Sequence, residues 1–96
     1  MDKTEAKALL ASELQKYRAR GYSELRERIG SHDDYDVTAP SGRRYQIEVN
    51  FFWDDRPDGD IRVGGSIDDG GWRAWIPVTD SFILSSTGRF VGEGAE

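Results

Sequence analysis

A chain of 96 residues with 18 Asp or Glu against 13 Lys or Arg, and a formal charge of −5, makes one acidic domain with room for a single modest core. The absence of cysteine excludes a disulfide framework, a thiol nucleophile and a Cys-based zinc site. Charges interrupt the N-terminal stretch every few positions and no run of about 18 apolar residues occurs, so an unprocessed, soluble, cytoplasmic protein is expected.

Charge is divided unevenly along the chain. Residues 1–30 hold seven Lys or Arg against five Asp or Glu, a balance of +2, whereas residues 31–96 hold six against thirteen, a balance of −7. A field of that sign repels phosphate backbones and anionic lipid and draws basic partners inward. The expected partner is therefore a protein with a basic surface, not a membrane or a nucleic acid.

Residues 1–30 have helical periodicity: Leu10, Leu14, Tyr17, Gly21, Leu25 and Ile29 recur at steps of three and four and share one stripe. Asp2 with Glu5 makes a capping box at the start. Gly21 interrupts the stripe and Ser23 offers a fresh N-cap, with Tyr22 as a staple before it, so a helix to about residue 20 and a shorter one over 24–29 are expected. Gly30 is the stop signal.

Beyond residue 31 the period changes to two, and "GSHDDYD" reads as a linker. Turn signals then follow at "APSGR" (39–43), "RPDG" (56–59), "DDGG" (68–71) and "SSTGR" (85–89), each combining preset or permissive backbone with Gly. Turns this short join antiparallel neighbours. They predict a meander of about five strands, near 34–38, 44–53, 60–68, 72–78 and 82–85, with a short tail strand at "RFVG". Odd positions Tyr45, Ile47, Val49, Phe51, Ile61, Val63 and Ile67 form the inner face, completed by Ala74, Ile76, Phe82 and Leu84. The N-terminal helix is the one available cover, which makes the fold α+β: one domain over 1–96, helical to 30 and antiparallel sheet after it. Gly21 and Gly65 face one another in this scheme and suit close backbone approach.

Motifs with specific chemistry are missing. An EF-hand loop begun at Asp54 places Asp58 and Gly59 in register but has Arg56 at its third position and Gly65 at its twelfth, so two ligands fail. His32 is the single histidine; its neighbours Asp33 and Asp34 are adjacent in an extended chain, and no companion at metal-binding spacing exists. No serine stands in a nucleophile elbow and no glycine set forms a phosphate loop. No catalytic residues, metal ligands or cofactor are assigned.

The even-numbered face of the sheet remains. Phe52 and Trp75 lie on it by alternation, with Gln46, Glu48, Asn50, Arg62, Ser66 and Arg73; Trp and Arg are the residue types enriched where partners bind. The acidic residues Asp54, Asp55, Asp58, Asp68 and Asp69 are read as the basic-partner contact. The leading function is a non-enzymatic protein–protein interaction domain. A single-stranded nucleic-acid binder through the aromatic face is an alternative, and a small hydrolase with a carboxylate site has the least support.

Residues 44–93, through the turn Ile67-Asp68-Asp69-Gly70-Gly71, the following Trp72 and the closing Ser81-Phe82-Ile83, resemble small bacterial single-domain proteins of unknown function. That resemblance implies an α+β fold and carries no catalytic residues. Small acidic proteins of this build also resemble immunity proteins that neutralise a toxin.

Alternation generates a direct test. Trp75→Ala should weaken partner binding by more than about 1 kcal/mol and leave folding stability within about 1 kcal/mol. Trp72→Ala, of opposite parity, should be the costlier loss in denaturant unfolding. A loss of about 3–5 kcal/mol for Trp75→Ala instead would place that ring in the core.

Overall fold

The computed structural model describes residues 1–71 and 77–93. Helix α1 (Lys3–Arg18) begins where the Asp2 carboxylate accepts the Glu5 backbone N–H at 3.0 Å, and it buries Ala6, Leu10, Leu14 and Tyr17 along one stripe. It stops at Arg18, before Gly21, so the glycine does not interrupt a continuing helix. Gly21 instead occupies the N-cap of α2 (Tyr22–Arg26), and Ser23, the expected cap, lies inside that helix. A tight turn carries the chain to Gly30, whose φ of +86° suits a residue without a side chain.

Among the described residues four antiparallel strands follow in the order β1-β2-β3-β4: β1 (His32–Thr38), β2 (Arg44–Trp53), β3 (Ile61–Asp68) and β4 (Val78–Leu84). The linker expected over residues 30–36 is overturned, since pairing of His32 with Asn50 starts β1 directly after the helical part. The strand expected over 82–85 begins earlier, as β4 (Val78–Leu84), while most of the strand expected over 72–78 lies outside the described residues. Thr79, Asp80 and Ser81, which the expected strand bounds leave out, pair with Ser66, Gly65 and Gly64 and carry β4 straight through. The tail strand reduces to a bridge between Leu84 and Phe90, reinforced by the Val91 N–H on the Ile83 carbonyl at 2.9 Å. Trp72, Arg73, Ala74, Trp75 and Ile76 lie outside the described residues.

The turns follow the expected chemistry with one exchange. Gly42, Gly70 and Gly88 take positive φ. In "RPDG" it is Asp58, at φ 65°, that adopts the left-handed conformation, while Gly59 is held against the Arg56 side chain and carbonyl.

Odd residues of β2 and β3 bury as alternation dictates. Tyr45, Ile47, Val49, Phe51, Ile61, Val63 and Ile67 join Phe82 and Leu84 beneath Ala6, Leu10, Leu14, Tyr17 and Leu25 in one core; Ile29 is only partly buried at its margin. Helix α1 lies over β3 and β4, and α2 contacts β3. Close approach centres on Gly65, where a Cβ would sit 2.9 Å from Leu10 Cδ1 and 3.3 Å from Leu14 Cδ2. Gly21 meets nothing within 4 Å, so the close-approach expectation holds for Gly65 and fails for Gly21.

The polar joints are less regular. Each of the four tyrosines donates its hydroxyl across the fold: Tyr17 to Asp33 at 2.6 Å, Tyr22 to the Gly59 carbonyl at 2.7 Å, Tyr35 to Glu13 at 2.9 Å and Tyr45 to Glu5 at 2.8 Å. Burial of these rings requires such partners, because an unpaired buried hydroxyl is costly. Glu13 shows the same logic. It sits in the apolar stripe of α1, is 7% exposed, and is engaged by the Tyr35 hydroxyl and the Lys16 ammonium.

Gly65→Ala should destabilise the domain by about 1–3 kcal/mol in urea unfolding, because fully buried Leu10 cannot retreat from the added methyl. Gly21→Ala, at φ −78° and with open space around it, should stay within about 0.5 kcal/mol.

Candidate functional site

The helices cover one face of the sheet; among the described residues nothing covers the other, and the strand register orders its side chains into rows. Phe52 and Arg62 pair across β2 and β3, with Ile83 beside Arg62 on β4. The next row is His32, Asn50, Gly64 and Ser81, followed by Asp34, Glu48, Ser66 and Thr79, and then by Asp36, Gln46 and Asp68. Thr38 and Arg44 close the far end. One end is therefore apolar and cationic, and the centre and opposite end are acidic.

At the apolar end Phe52 is 44% exposed, and its ring lies 3.7 Å from where a Gly64 Cβ would stand. The ring shields backbone that glycine leaves open, a sufficient structural use for part of its surface. Arg62 is fixed by two contacts: Asp54 accepts from its Nε at 2.9 Å, and its other arm donates to Ser81 Oγ at 3.0 Å. Phe52, Arg62 and Ser81 line a shallow depression of about 480 Å³ with Asn50 and Thr79.

The acidic half forms a second open depression of about 510 Å³, lined by Asp34, Asp36, Gln46, Glu48, Ser66 and Asp68. Asp34 stands directly opposite Glu48, a like-charged cross-strand pair that opposes strand association. His32 Nε2 is 3.0 Å from Asp34 Oδ2, and Arg44 reaches Asp36 at 3.4 Å. Across the described strand positions of this face, four carboxylates face two guanidinium groups and the histidine.

Residues singled out from sequence are distributed differently from that reading. Phe52, Arg62 and Asp68 do occupy the bare face, and Asp54 joins its rim through Arg62. Asp55 and Asp58 belong to the β2–β3 turn, where Asp58 accepts from Arg26 of α2 at 2.9 Å. Asp69 lies beyond the opposite end of β3 and accepts the Gly71 N–H at 3.1 Å. Eight residues of β3 at about 3.3 Å each separate the two groups by more than about 20 Å, so Asp54, Asp55, Asp58, Asp68 and Asp69 do not form one patch. Trp75 and Arg73 fall outside the described residues. The carboxylates that do converge are Asp34, Asp36, Glu48 and Asp68.

The orientation of β1 explains why two of these were missed. Asp33 points inward, where Arg28 reaches its Oδ1 at 2.6 Å and the Tyr17 hydroxyl its Oδ2 at 2.6 Å. With Asp33 anchored inside, alternation sends both His32 and Asp34 to the bare face. Arg28 foremost, and then the Tyr17 hydrogen bond, hold the Asp33 carboxyl below its ordinary 3.8. Burial of its ring foremost, and then the same bond, push the Tyr17 phenol up.

A carboxyl depressed in the folded state contributes stability above its unfolded pKa, and that contribution fades as pH falls through the folded value. Acid unfolding curves should therefore lose stability from about pH 4 downward. Asp33→Asn should flatten that segment and cost about 1–2 kcal/mol at neutral pH, a figure discounted for partial exposure of the pair. An unchanged acid limb in Asp33→Asn would show that this joint does not anchor β1.

Comparison with known proteins finds no matching family model, no matching curated protein and no matching solved structure.

Proposed function

We propose that this chain is a non-enzymatic protein-binding domain that receives a basic polypeptide surface on its bare sheet face. The observation that carries this reading is the union on one uncovered face of Asp34, Asp36, Glu48 and Asp68 with the exposed ring of Phe52. Cationic side chains would pair over the acidic depression while an apolar group packs against Phe52 and Ile83, the mixture of aromatic anchor and charged surround typical of interfaces. Charge there acts mainly on encounter rate and orientation.

Neutralisation of a basic toxin is a narrower form of the same reading, and its cheap discriminator is rescue of cells that express the toxin. Nucleic acid fits less well. Arg44 and Arg62 are already engaged by Asp36 and Asp54, and the remaining carboxylates repel a phosphate backbone.

Affinity capture from the native host, at low and high salt, tests the proposal. A basic partner retained at low ionic strength should be released at about 0.5 M salt. Glu48→Lys with Asp68→Lys should lose it by at least about tenfold, whereas Glu27→Lys, at the exposed C-cap of α2, should retain it. A partner indifferent to the sheet variants, or displaced equally by Glu27→Lys, contradicts the assignment.

A further inference from the structure

His32, Asp34 and Glu48 each present one donor atom, and the three atoms lie within 4.8 Å of one another. Their arrangement is a product of register: His32 and Asp34 are two apart on β1 and share a face, and Glu48 stands across from Asp34 on β2. We infer that this triangle is a binding site for a first-row transition-metal dication, with Zn²⁺ as its representative; it shares Asp34 and Glu48 with the proposed protein-binding face but its test needs no partner.

Donor chemistry selects the class of ion. Imidazole is a ligand for zinc, nickel and copper, while calcium and magnesium take oxygen donors almost entirely. One histidine nitrogen and two carboxylate oxygens form a set of three, which leaves a position for water. Bonds of about 2.0–2.1 Å at a tetrahedral angle separate two donors by about 3.3 Å. The His32 Nε2 to Asp34 Oδ2 separation of 3.0 Å is close to that value, and exposed Glu48 has the freedom to close the remaining gap.

Charge on the strands also favours a cation. Asp34 opposite Glu48, with Asp36 one step along β1, sets negative groups against one another across a single strand pair. Arg44 compensates Asp36. Among the described residues no Lys or Arg pairs with Asp34 or Glu48, and His32 is the single basic partner of Asp34.

Titration of the whole protein with Zn²⁺ by calorimetry, without any partner protein, tests the site. The expected result is one ion per chain in the micromolar range, with binding weakened by about tenfold or more in His32→Ala and in Glu48→Gln, a scale at which even outer-shell partners of a ligand act. Asp68→Asn, on the same face but outside the triangle, should change the affinity by less than about twofold. Zn²⁺ should also raise the Tm of the wild type and not of His32→Ala, which confirms in one experiment that the variant is folded. No saturable Zn²⁺ binding below about 1 mM overturns the inference. So does binding that His32→Ala leaves intact, or that Mg²⁺ matches, because either would reduce the triangle to an ordinary acidic surface. None of these outcomes depends on whether a basic protein docks on the face.

Discussion

Helix α1, with the short α2 beside it, has to cover the four strands described, and the seat that permits it is Gly65. Leu10 and Leu14 of α1 press onto backbone that carries no side chain, which brings the helix close enough for Ala6, Tyr17 and the odd residues of β2 and β3 to enclose a dry core. A period of two then forces the corollary. Every residue directed inward exports its neighbours, so the quality of the inner packing determines which groups stand on the bare face and at what spacing. A slip of one residue would bury Glu48 and Asp68 and expose Val49 and Ile67.

The edge strand β1 obeys the same constraint by polar means. Its inner positions are Asp33, Tyr35 and Val37, too polar to be held by hydrophobic burial alone, and they are secured by Arg28, Tyr17 and Glu13. Burial and the Glu13 carboxylate push the Tyr35 phenol far up, consistent with a hydroxyl committed to donating. This polar joint is what places the acidic end of β1 beside Glu48. The stability of the helix–sheet contact and the chemistry of the open face are thus two consequences of one alternation.

Much of the scaffold was legible because apolar periodicity reports it: the stripe of α1, the inner faces of β2 and β3, the turn glycines Gly42, Gly70 and Gly88, and the close approach at Gly65. Strand β1 was not legible in full, because inward Asp33 and a charged run resemble a linker when their partners Arg28 and Tyr17 are unseen. Glu13 carried a usable signal, a carboxylate at a stripe position, which implies an inward donor such as Tyr35. The candidate site was legible only in part. Proximity in sequence grouped Asp54 with Asp58 and Asp68 with Asp69 at turns, whereas the sheet gathers Asp34, Asp36, Glu48 and Asp68 from three strands. Adjacency in an extended chain set both Asp33 and Asp34 apart from His32, but it holds only for Asp33; Asp34, two residues on, shares the face of His32.

The central claim is that function resides on the even face of the sheet and not on the helical side. Chemical-shift mapping of isotopically labelled protein against a lysine- and arginine-rich polypeptide tests it most directly. The account predicts saturable shifts confined to the rows of Asp34, Asp36, Glu48, Ser66 and Asp68 and extending to Phe52 and Arg62, with α1 and α2 unaffected. Shifts centred on the exposed surface of the helices, or scattered without saturation over every acidic residue, would contradict it.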